Sequence, residues 1–193
     1  MDEELSRTLE EYLLYEQEEM KMSAFRFNNA IVTKMMDEAL GFCAEKAGLN
    51  SKEQAREALQ DGDCCVCEYL RYALAQGVAK YLGSVDDNIE AVYTYEPEYA
   101  TSVDEPVPGR PSPSSGFNLI ARVSRKSAAL SSIVASVGSA LAEEFGRLGC
   151  PKANPLCFAL DVQVVDEEEV RRRIGYGALI DSLYVRPMEI WHR

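Results

Sequence analysis

The chain has a single histidine, His192, and a single tryptophan among 193 residues. One imidazole next to the last residue leaves no internal imidazole base, which removes serine or cysteine nucleophiles activated by histidine and also histidine-rich metal centres. Basic residues are scarce too: 20 Lys and Arg stand against 32 Asp and Glu, a formal net charge of -12. Phosphate backbones and anionic lipid surfaces are held by cations, so unspecific attraction to either is unfavourable. Neither nucleic acid nor membrane is an expected partner. No apolar run reaches the roughly 18 residues that span a bilayer. The opening Met1-Asp2-Glu3-Glu4 is unlike the basic start of a secretory signal, so the expected location is cytoplasmic.

Six cysteines without an export signal read as free thiols rather than a disulfide framework. Cys64, Cys65 and Cys67 fall in the first turn of a predicted helix, where unsatisfied amides and the helix dipole favour a thiolate. Cys150 and Cys157 could complete a four-thiolate centre. The spacings Cys-Cys-x-Cys and Cys-x6-Cys match neither the paired Cys-x2-Cys of zinc ribbons nor a ferredoxin run. Buried, unreactive thiols are the preferred reading, with a metal or redox centre at Cys64, Cys65 and Cys67 as the alternative.

What is present divides in two. From Leu5 to Phe42, apolar residues recur at Leu9, Tyr12, Leu13, Met20, Ala24, Phe27, Ile31, Met35 and Ala39, the spacing of one helical face. Asn28 and Asn29 mark a possible break and Gly48 a stop. Ser51 with Gln54 has capping-box form and opens a short helix to Leu59. Asp63 caps a further helix carrying Val66, Leu70, Leu74, Val78 and Leu82, with Gly83 closing it. Residues 1 to 83 are thus expected to be helical.

The rhythm then changes to two. Ile89, Ala91, Tyr93 and Tyr95 alternate with Glu90, Val92 and Thr94 as in a strand. Residues 96 to 116 hold five of the eight prolines and read as a long loop. Phe117 to Val123 is a second strand, and Ser124 is expected to cap a helix with a stripe at Leu130, Ile133, Val137, Leu141, Phe145 and Leu148. A third strand, Leu156 to Val165, carries Asp161 and Gln163 on one face. Asp166 caps a short helix whose acidic start and basic end suit its dipole. Met188 to Trp191 is a last extended piece. The fold class is α+β: a helical part, 1 to 83, then an α/β part, 84 to 193, with a small mixed sheet and helices on one face.

This order resembles the minimal nucleotidyltransferase fold of the polymerase-β type over roughly residues 74 to 191. The likeness is carried by Tyr81-Leu82-Gly83, the strand Glu90 to Tyr95, the strand Asn118-Leu119-Ile120-Ala121-Arg122-Val123, Leu160-Asp161-Val162-Gln163-Val164-Val165, and Val185-Arg186-Pro187-Met188-Glu189-Ile190-Trp191. Active members place a Gly-Ser pair after the first strand; this chain has Thr94-Tyr95-Glu96-Pro97. They also hold two divalent cations on an Asp-x-Asp or Asp-x-Glu opening the second strand, where this chain has Gly116 and Asn118. Only Asp161 falls where a third carboxylate would stand. The resemblance therefore implies a sheet that has lost its catalytic acids.

The expected function is a non-catalytic binding or scaffolding protein. It would form a homodimer through its amino-terminal helices, whose methionines, Met20, Met22, Met35 and Met36, offer an adaptable apolar surface. An alternative keeps a small anionic ligand, or magnesium with a nucleotide, at Asn118, Arg122, Arg125, Lys126 and Asp161. There Arg125 and Lys126 would share a phosphate with the amides opening the next helix.

Overall fold

The computed structural model describes residues 29–95, 116–149, 159–182 and 186–193. Within them the chain is α+β, with six helices and a four-stranded mixed sheet. The proposed helical stripe before Asn29, the loop 96 to 115, and Cys150 and Cys157 lie outside the described residues.

Helix α1, Asn29–Ala47, turns Val32, Met35, Met36, Ala39, Leu40 and Cys43 inward. It ends at Gly48, where a φ of 67° lets Leu49 N–H donate to the Ala44 carbonyl. Helix α2, Lys52–Asp61, is capped by Ser51, whose Oγ accepts from Gln54 N. The Gln54 side chain takes the N–H of Asn50 instead of that of Ser51, so the expected box is displaced by one residue.

Helix α3, Cys64–Val85, begins at Asp63, whose Oδ1 accepts from Cys65 N and Val66 N at 2.9 and 3.1 Å. It runs through Gly83 rather than stopping there. A β-carbon on Gly83 would sit 2.2 Å from a ring carbon of Trp191, so this glycine is the floor of an aromatic contact and not a terminator.

Strand β1, Ile89–Thr94, is central together with β2, Gly116–Val123, to which it pairs antiparallel; β3, Ala159–Asp166, runs parallel to β2, and β4, Met188–His192, runs antiparallel to β1. The order is β3-β2-β1-β4. Helix α4, Ala128–Leu148, joins β2 to β3; α5, Glu167–Arg172, and the single turn α6, Gly177–Ile180, join β3 to β4. Asp166 caps α5, as the sequence predicts, and does so in a full capping box with Glu169.

Simple alternation fails at one point of β1. Ile89 faces Val123 while Ala91 faces Arg122, so Glu90 is an inserted residue. This bulge turns Ile89 to the same side as Val92, and leaves Ala91, Tyr93 and Tyr95 on the other. The first side is the main core, where Ile89, Val92, Leu119, Ala121 and Val123 meet α1, α3 and α4. Residues on both sides of position 83 contribute to this single cluster. The second side carries a small cluster, Ala91, Tyr93, Tyr95, Ile120 and Val165, closed by Ile180 of α6.

Met35 and Met36 belong to the main core, so this half of the methionine stripe packs within its own chain. Among the described residues, α4 alone is long and apolar enough to cross a membrane by length and composition. It turns Leu130, Val137, Leu141 and Leu148 into the core.

Candidate functional site

The sequence-derived site residues fall at two ends of β2. Asn118 stands near its start and pairs directly with Asp161 on the parallel neighbour β3. Registered partners on adjacent strands point to the same face, so amide and carboxylate share the side occupied by Tyr93 and Tyr95. Asn118 is 8% exposed, the one buried polar residue among the described residues, whereas Asp161 is exposed. The Asn118 carbonyl accepts from Tyr95 N at 3.1 Å. Asp161 Oδ1 accepts from the Gln163 amide at 2.7 Å, two residues along the same face.

Tyr95 closes this end. Its ring lies 5.6 Å from that of Tyr176. Burial first, then the Tyr176 hydroxyl and the nearby Asp161 charge, push its phenol well above the usual range. Tyr93 and Tyr95 are both buried, at 9% and 6% exposure.

Beside the pair, where β1 ends and β2 begins, a cleft of about 130 Å³ is bounded by Arg71 and Glu68 of α3, by Thr94, and by Phe117 and Asn118. Arg71 donates to Glu68 at 2.9 Å. The cleft is less than half the roughly 300 Å³ at which pockets begin to enclose drug-sized ligands.

The basic residues occupy the opposite end. Ser127, not Ser124, caps α4, its Oγ accepting from Leu130 N at 3.2 Å. Ser124 is held to Asn88, donating N–H to its carbonyl at 2.8 Å. Arg125 and Lys126 therefore precede the cap and lie outside the helix's first turn. Two of the three sequence-derived cations in this region meet an acid: Arg122 pairs with Glu90 at 3.0 Å, and Lys126 with Glu169 at 2.6 Å. The open groove around Arg125 and Lys126 also carries Arg171 and three carboxylates, Asp166, Glu167 and Glu168. Three acids offset the three cations of this groove, so it offers a phosphate no net attraction.

The thiols form a third locus, at the start of α3. Cys64 and Cys65 are exposed and Cys67 is half-buried. The sequence reading passed over Cys43, which is fully buried on α1 and donates to the Val66 carbonyl at 3.7 Å. Burial, followed by the nearby Cys67 thiol, raises it to about 12. The position of Cys43 on an apolar helical face hid it. At the helix start the Cys64 thiol and the Asp63 carboxylate raise Cys65, against the lowering that a helix's first turn favours.

No protein-family model, no curated protein and no solved structure matches the chain.

Proposed function

We propose that the chain is a non-catalytic binding protein whose sheet is of the nucleotidyltransferase type and has lost its metal-holding acids. One observation carries this reading: Asn118 stands directly opposite Asp161 on parallel neighbouring strands, facing the same way. That is an amide beside a carboxylate where paired cations would demand carboxylates on both strands. An amide oxygen brings no charge to offset a divalent ion. The small adjoining cleft and the pairing of Arg122 and Lys126 with acids at the far end support the same reading.

Self-association is the use we assign to it. Met35 and Met36 are spent on the chain's own core, so self-association is assigned to the amino-terminal segment, on the sequence spacing of Leu5, Leu9, Tyr12, Leu13 and Met20.

The wild-type chain titrated with ATP and Mg²⁺ should give neither heat nor a shift in melting temperature. A ligand at about 100 times its dissociation constant would add roughly 2.7 kcal/mol, an easily visible shift. Asn118→Asp should acquire stabilisation by Mn²⁺ or Mg²⁺, and Asn118→Asp with Asp161→Asn should lose it again. Magnesium-dependent nucleotide binding by the wild type, abolished in Asp161→Asn, would sink the non-catalytic reading. For self-association, light scattering should report a dimer that Leu9→Asp with Leu13→Asp converts to a monomer.

A further inference from the structure

Asp63, Cys64 and Cys65 place one carboxylate oxygen and two sulfurs within 4.8 Å of one another, all three residues exposed. A tetrahedral ion with metal–sulfur bonds of about 2.3 Å holds its sulfurs roughly 3.8 Å apart. Closing the present spacing therefore requires movements of about 1 Å, within the reach of cysteine χ1 rotation on a fixed backbone. The carboxylate is already positioned, because Asp63 Oδ1 is fixed by the amides of Cys65 and Val66. Its second oxygen remains for coordination. Cys67 is excluded from this set: it is half-buried and lies toward Cys43, on the side of α3 that packs against α1.

We propose that Cys64, Cys65 and Asp63 form a three-donor site for a thiophilic divalent cation, zinc or cadmium, with the fourth coordination position open to water or an incoming ligand. Two sulfur donors select such ions over magnesium or calcium, which prefer oxygen cages. The site differs from a structural zinc centre, which is closed by four protein ligands. An exposed, three-ligand site suits capture or transfer of the ion.

Binding is a displacement. Two thiols and M²⁺ give two metal–sulfur bonds and two released protons, with no change in oxidation state. The positive end of α3 adds to the stabilisation of both thiolates once the cation is bound.

The reduced full chain, kept anaerobic, is titrated with Cd²⁺ while the ultraviolet thiolate-to-cadmium charge-transfer band is followed. The band should saturate at one equivalent, with proton release of two per ion measured in weak buffer. Cys64→Ser with Cys65→Ser should abolish it, and Cys67→Ser and Cys43→Ala should leave it intact. Asp63→Asn, which preserves the cap, should weaken binding roughly tenfold. Circular dichroism of each variant confirms that the fold persists. A band that survives the double serine variant, is lost with Cys67→Ser, or never forms in the wild type overturns the proposal.

Discussion

Cys43 and Tyr95 are single residues whose burial makes stability depend on alkaline pH. Cys43 rises from an ordinary thiol value of 9.0 to about 12, chiefly through burial. Tyr95 is raised in the same direction and for the same first reason. In both, the folded pKa lies above the unfolded one, so the unfolded chain releases its proton first as pH climbs. The stability they contribute is complete below about pH 9 for the thiol and about pH 10 for the phenol, and is lost above those values. Urea midpoints should stay level to about pH 9 and then fall. The advantage of the wild type over Cys43→Ala should shrink between about pH 9 and 12; a constant difference would show that the thiol is not buried. A thiol reagent should modify the exposed Cys64 and Cys65 before Cys43, which should stay untouched until the chain unfolds.

Helix α4 illustrates how an element's boundary settles between two similar residues. Both Ser124 and Ser127 can cap a helix, and the local pattern does not separate them. Ser124 is drawn to Asn88, whose carbonyl accepts its N–H, and this fastens the end of β2 to the turn before β1. The cap then passes to Ser127, and Arg125 and Lys126 are left in the connection. Ser127→Ala should therefore cost about 1 kcal/mol in denaturant unfolding, as loss of a cap does. Ser124→Ala removes exposed hydrogen bonds and should cost about 0.5 kcal/mol. If Ser124→Ala proves the more damaging, the cap has been misplaced. Strand β1 makes a similar point about periodicity. Its apolar residues are legible, but the inserted Glu90 decides their faces, and that insertion is stabilised by the pairing of Glu90 with Arg122 across the ladder.

At the scale of the whole molecule, the first helical layer and the last strand are tied by one contact. Trp191 of β4 packs on Gly83 of α3, and Arg193 donates to the Gly83 carbonyl at 2.8 Å, to the Ile89 carbonyl at 3.2 Å and to Asp87 at 2.8 Å. These bonds occupy carbonyls near the negative end of α3, where a guanidinium is favoured. A methyl group on Gly83 would overlap the indole, so Gly83→Ala should destabilise by about 1–3 kcal/mol and alter the emission of the sole tryptophan. Combining it with Trp191→Leu should recover part of the loss, because the two residues are in contact and their effects should not add. Additive losses would mean that the indole does not rest on Gly83.

Much of this architecture follows from the sequence alone because it depends on neighbours within one helical turn. The stop at Gly48, the caps at Ser51, Asp63 and Asp166, and the inward stripe of α1 are all of this kind. So is the placement of Asp161 and Gln163 away from the helix-covered face of β3. Tertiary structure decided what requires two distant segments to meet. It set Asn118 opposite Asp161, because strand register is fixed by side-chain packing between β2 and β3 rather than by either strand. It answered Lys126 with Glu169, turned Cys67 toward Cys43, and converted Gly83 from an expected stop into a packing surface. Charge and periodicity are local properties of the chain; which charges, thiols and rings become partners is a property of the packed core.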